Sequence, residues 1–143
     1  MQDIINQFWS WKVPHCSEIK FSNEFGNIIF LVQTGAYWRI CPEELKAEEI
    51  AQDDEAFQAL LEDEKFCEDW NMDFLCQVAS DALGPINQEQ CYGFKVWPAF
   101  KDGQYDNKNM ELKNFEDWLA QSGEVAEQFS QAKEGQEITL DFD

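Results

Sequence analysis

Ile28-Ile29-Phe30-Leu31-Val32, then Thr34-Gly35, then Tyr37-Trp38-Arg39-Ile40 form the most strongly patterned stretch of the chain. An apolar run rich in β-branched residues, a turn signal and a second short apolar run predict a β-hairpin. Downstream, Cys41-Pro42-Glu43-Glu44 places a proline and two carboxylates where a first helical turn accepts them, predicting a short helix through Leu45, Ala47, Ile50 and Ala51. Asp53 or Asp54 can cap a second helix with Phe57, Leu60 and Leu61 on one face. Trp70, Phe74, Val78 and Ala82 form an i, i+4 ladder, reinforced by Leu75 and Leu83, that predicts a further helix ended by Gly84-Pro85. Cys91 to Trp97 reads as a strand closed by Pro98, with Lys101-Asp102-Gly103 as the turn into a partner near Gln104-Tyr105. Asn114 can cap a helix carrying Phe115, Trp118 and Leu119. Ser122-Gly123 is expected to interrupt it before Val125, Ala126 and Phe129 continue on another. Ile138-Thr139-Leu140 reads as a final strand, and Ile4, Ile5, Phe8 and Trp9 as an opening amphipathic helix. The order predicts an α+β fold, an antiparallel sheet packed with several amphipathic helices, as a single domain over residues 1–143.

The chain is 44% apolar, with six Trp and twelve Phe, which argues for a packed core and against wholesale disorder. Ten Lys and Arg stand against 29 Asp and Glu, a formal net charge of -19 that repels phosphate and anionic lipid. Neither nucleic acid nor a membrane is the expected partner. The first 42 residues are formally neutral, whereas Glu43 to Asp81 carries 14 acidic and two basic side chains. Five cysteines without a Cys-x-x-Cys pair read as reduced core residues. Met1-Gln2-Asp3 does not start a basic leader and no apolar run is long enough to span a bilayer, so the expected location is the cytoplasm.

Motifs for catalysis are weak. His15 is the one histidine, and its sequence neighbour Cys16 is poorly placed to form a nucleophile pair with it. Asp106-Asn107-Lys108-Asn109-Met110-Glu111 opens like a calcium loop but lacks the Gly at the sixth place and the Glu at the twelfth. No cofactor or metal is expected, and with 29 carboxylates some pair always has glycosidase spacing, so a carboxylate-based hydrolase is a distant alternative. The acidic clusters themselves suit a solvated face or a surface steered toward a basic protein.

Phe25-Gly26-Asn27, the string Trp38-Arg39-Ile40-Cys41-Pro42-Glu43-Glu44-Leu45, Asp69-Trp70-x-Met72 and Leu83-Gly84-Pro85 occur in this order. Tyr92-Gly93-Phe94-Lys95 and Ser122-Gly123-Glu124-Val125-Ala126 follow. The ordered set resembles the C-terminal domain of the type VI secretion DNase immunity proteins over about residues 21–141. Gly26, Gly35, Gly84 and Gly123 are expected at turns, and Trp38, Trp70, Tyr92 and Phe94 in the core. The resemblance implies a cytoplasmic immunity protein without catalytic activity that binds and neutralises a cognate antibacterial toxin, a nuclease. With the charge balance, it suggests a basic toxin met by Asp53, Asp54, Glu55, Glu62, Asp63, Glu64, Glu68 and Asp69, with an exposed aromatic as anchor. A general acidic interaction or scaffold domain is the other reading. An apolar helix face serves a core or a dimer equally, so the oligomeric state stays open.

Overall fold

The computed structural model describes residues 1–131. Helix α1 (Gln2–Phe8) leads into β1 (Cys16–Ser22), β2 (Ile28–Val32), β3 (Tyr37–Cys41), a 3-10 turn (Pro42–Glu44) and β4 (Lys46–Ala51). Three helices follow, α2 (Asp54–Leu61), α3 (Glu64–Asn71) and α4 (Asp73–Leu83), then β5 (Gln90–Phe94), β6 (Met110–Asn114) and α5 (Phe115–Gln131). The four strands β1 to β4 form an antiparallel sheet in chain order, and β5 pairs antiparallel with β6. This is the α+β fold with antiparallel sheet that the order of elements predicts. Ile138-Thr139-Leu140 lies outside the described residues.

Strand β2 reads as an unbroken apolar run because it is covered on both faces. Ile28, Phe30 and Val32 enter the main core with Ile5, Trp9, Phe94 and Trp118. Ile29 turns to the other face, where it meets Tyr37, Ala51 and Phe57 beneath α2 and α3. A strand buried on both sides has no polar alternate positions to show.

Several elements differ from the periodicity reading. The helix expected after Pro42 is a single 3-10 turn, closed by Leu45 in the left-handed conformation (φ 54°), and Lys46–Ala51 is a strand. A bulge opposite Tyr37 and Trp38 lets Ala47 face the main core and Ala51 the second cluster. Four residues apart on opposite faces is not strand alternation, and the pair mimics a helical spacing. The Trp70 to Ala82 ladder is broken at Met72, also left-handed (φ 50°), where Asn23 Nδ2 donates to the Trp70 carbonyl at 2.8 Å. Trp70 packs over the sheet, whereas Leu75, Val78 and Leu83 pack on the main core, and Ala82 is exposed. Gly84 (φ 82°) ends α4 as predicted.

The partner of β5 is β6 rather than the segment near Gln104-Tyr105, which lies in the loop between them. Asn109 ties that loop: its Nδ2 donates to the Val96 and Gln104 carbonyls, both at 2.8 Å, while its Oδ1 accepts from Val96 N. Asn114 caps α5 through Asp117 N, but Ser122-Gly123 does not interrupt the helix. A Cβ at Gly123 would stand 2.6 Å from the Phe8 carbonyl oxygen, so this glycine lets α1 and α5 touch backbone to backbone. Strand β1, which follows His15, is mostly exposed and carries two register shifts against β2, so its residues show no regular alternation. Tyr92 and Phe94 are buried, whereas Trp38 and Trp70 are half-buried.

Candidate functional site

The acidic layer is built by α2 and α3. Asp53 caps α2 through Ala56 N at 2.8 Å, and Asp63 caps α3 through Lys65 N and Phe66 N. Asp54 accepts from the Tyr37 hydroxyl, whose pKa that bond raises to about 12, and Asp69 pairs with Arg39. Four of the eight carboxylates singled out from the sequence thus hold the fold as well as facing solvent. Glu55, Glu62, Glu64 and Glu68 are exposed. The structure spreads the eight over three places: the start of α2, the α2–α3 corner and the last turn of α3.

Beneath that last turn lies a polar network absent from the sequence reading. Asn27 is fully buried, and its Nδ2 donates to both carboxyl oxygens of Glu43 at 2.8 and 3.1 Å. Its Oδ1 accepts from Arg39 Nη2 at 2.8 Å and Nε at 3.2 Å. Arg39 Nη1 reaches Asp69 at 2.6 Å, and the guanidinium lies 5.1 Å from the Trp70 ring centroid. Burial pushes the Glu43 carboxyl from 4.5 to about 7, against the Asn27 amide and Arg39, which favour its charged form. The residues of this network, Asn27, Arg39, Glu43, Asp69 and Trp70, come from three of the strings that carry the family resemblance, and the ordered strings are its signal in the sequence.

The outer end of the network opens into a cleft of about 440 Å³ between the 3-10 turn, the α3–α4 corner and the β5–β6 loop. Glu43, Glu44, Glu68, Asp69 and Asp73 contribute carboxylates, and Met72, Phe74, Leu75 and Tyr105 contribute apolar surface. Glu68 and Asp69 are thereby separated from the other acidic positions and joined to Glu44 and Asp73. The left-handed Met72 turns the chain so that Phe74 projects outward, 79% exposed, instead of packing in the ladder. Tyr105 stands edge-on to Phe94 at 5.4 Å and donates to Glu44 at 3.3 Å. Burial raises the pKa of its hydroxyl.

All five cysteines are free thiols. Cys16, Cys41 and Cys91 are buried, whereas Cys67 and Cys76 are half-buried. Burial pushes Cys16 to about 11 and Cys91 to about 12, far from the thiolate range a nucleophile needs. Among the described residues no helix is long and apolar enough to cross a membrane.

The molecule is thus an acidic α+β domain that presents carboxylates and an exposed aromatic on its helices. The model of the family described as T6SS immunity protein Tdi1, C-terminal, matches residues 51–124, and the chain belongs to that family. The matched stretch runs from the end of β4 through the acidic layer, the cleft corner and β5–β6 into α5. None of the curated proteins matches the chain.

Proposed function

We propose that this protein is a cytoplasmic immunity protein that binds a cognate toxin of type VI secretion, a basic nuclease, and neutralises it stoichiometrically. The observation that carries the reading is membership of the immunity family. The charge supports the finer part: the eight carboxylates Asp53, Asp54, Glu55, Glu62, Asp63, Glu64, Glu68 and Asp69 are all exposed on α2 and α3 or the turns that begin them. A dense negative layer competes with DNA phosphates for a cationic cleft and accelerates encounter with it. The protein acts by binding and carries out no reaction. Among the described residues the one carboxyl lifted toward neutrality, Glu43, is 2% exposed and holds both oxygens on Asn27. Residues 1–143 work as one unit, with α1 docked on α5 through the Trp9 Nε1 bond to the Leu119 carbonyl.

The test is a DNA-cleavage assay of the toxin encoded beside this gene, titrated with the purified protein. Loss of cleavage that is complete at one equivalent supports the reading. Undiminished cleavage at a large excess contradicts it, and cleavage lost only at high excess contradicts tight stoichiometric neutralisation.

A further inference from the structure

We propose that the cleft at the α3–α4 corner seats an arginine side chain of the toxin, with Phe74 and Tyr105 as its aromatic walls and Glu68 and Asp73 as its counter-charges. This rests on the immunity reading and names the part of the surface that anchors the partner.

Phe74 is the starting observation. It occupies the first turn of α4, yet its ring is 79% exposed while its helix neighbours Leu75 and Val78 pack on the core. Folding gains little from a phenylalanine there. A rigid aromatic held out by a fixed backbone turn suits a binding anchor, because little side-chain freedom is lost when a partner covers it.

The carboxylates around it are not equivalent. Asp69 is committed to Arg39, and Glu44 accepts from Lys46 at 3.0 Å and from Tyr105. Among the described residues no Lys or Arg pairs with Glu68 or Asp73, so two negative charges border the aromatic part of the cleft without a cationic partner. A cation with an apolar stem fits this combination. Arginine fits better than lysine: its guanidinium is planar, weakly hydrated, stacks on aromatic faces and offers several donors to separated carboxylates. The wall is braced from behind, since Asp69 is held through Arg39 and Asn27 to the buried Glu43. The cleft is therefore largely shaped before the partner arrives.

The test has two arms on the full chain. In the first, the ¹⁵N-labelled protein is titrated with a blocked tri-arginine peptide and, separately, a blocked tri-lysine peptide of equal charge. Tri-arginine is expected to move the backbone amides of Glu68, Met72 to Leu75 and Tyr105, with binding at least ~3-fold tighter than tri-lysine at about 150 mM salt. In the second, the catalytically disabled toxin encoded by the adjacent gene is bound to wild type, Phe74→Ser, Glu68→Gln/Asp73→Asn and the charge-matched control Glu89→Gln/Glu116→Gln. Phe74→Ser and the cleft pair are expected to weaken binding at least ~30-fold, mainly through dissociation, and the control by less than ~3-fold. Circular dichroism of Phe74→Ser should match wild type because the ring is exposed. Peptide shifts scattered over α2 and α3 and missing at Phe74, equal binding of the two peptides, or toxin affinity of Phe74→Ser within ~2-fold of wild type overturns the cleft and leaves the immunity reading standing. A wild-type chain that ignores the toxin at every salt overturns the immunity reading and, with it, the toxin as the source of the arginine.

Discussion

Replacing Glu43 by glutamine probes the buried network where its chemistry is most exposed to measurement. In the folded protein the carboxyl is buried and titrates at about 7, against 4.5 when solvated. The folded state therefore holds a proton that the unfolded chain has released over that interval. Stability from this group is fully present below pH 4.5 and is lost as pH rises through about 7. Each unit is worth about 1.4 kcal/mol, so raising the pH from about 5 to about 8 should remove roughly 2 to 3 kcal/mol from the wild type through this side chain alone. Glu43→Gln has no such proton. The amide it places against Asn27 shifts stability by an amount independent of pH, so the informative quantity is how the difference between the two proteins changes with pH. Urea unfolding followed by the fluorescence of the six tryptophans, at fixed salt across that range, gives it directly. The variant should gain on wild type by roughly 2 to 3 kcal/mol between the two ends. The remaining carboxylates titrate in both proteins and cancel. Stability profiles that stay parallel within about 0.5 kcal/mol would show that Glu43 is charged throughout, and the account of the network would be wrong.

Other substitutions test the contacts around this network and elsewhere in the fold. Asn27→Ala strands a buried guanidinium and a buried carboxyl together and should lower stability by about 2 to 4 kcal/mol in the same urea assay. A loss under 1 kcal/mol contradicts its bridging role. Asp53→Ala removes the α2 cap and should lower stability by about 1 kcal/mol, whereas Asp53→Asn keeps the cap and stays near wild type. Equal losses for both would assign the effect to charge instead. Gly123→Ala gains helix propensity of about 1 kcal/mol but drives a methyl into the Phe8 carbonyl, for a net loss of roughly 1 to 2 kcal/mol. A stabilised variant would mean that α1 and α5 do not approach so closely. Cys16, Cys41 and Cys91 should resist a thiol-labelling reagent until urea unfolds the chain, and fast labelling of all five cysteines in the native protein contradicts their burial.

What the sequence makes legible follows from where periodicity survives. The Ile28 to Ile40 hairpin, the Asp53 and Asn114 caps and the Gly84 stop are local features, each set by a few adjacent residues, and they stand in the structure. Bulges and left-handed non-glycine residues defeat the same reasoning. Leu45 and Met72 take positive φ without a glycine to announce it, converting one expected helix into a turn and strand and splitting another. Gly123 misleads in the opposite direction, because the reason for the glycine is the backbone of α1, more than a hundred residues away in sequence. At the surface, charge clusters identify the acidic layer but not its divisions. That Glu68 and Asp69 belong with Glu44, Asp73, Phe74 and Tyr105 depends on the sharp α3–α4 turn and on a loop anchored by Asn109. The strings behind the family resemblance carry more of this than composition does, since Asn27, Arg39, Glu43, Asp69 and Trp70 meet in one network.

The proposed capture of a basic toxin by this acidic domain is a question of encounter as well as of contact. The most direct measurement is the association rate with the catalytically disabled toxin encoded by the adjacent gene, taken across a salt series from about 25 mM to about 500 mM. Tight one-to-one binding whose association rate falls by at least ~10-fold over that range, with a much smaller change in dissociation, is the predicted result. Absence of binding at every salt, or tight binding with a salt-independent association rate, contradicts the account: the first removes the toxin as partner, and the second removes the acidic layer as the reason for its capture.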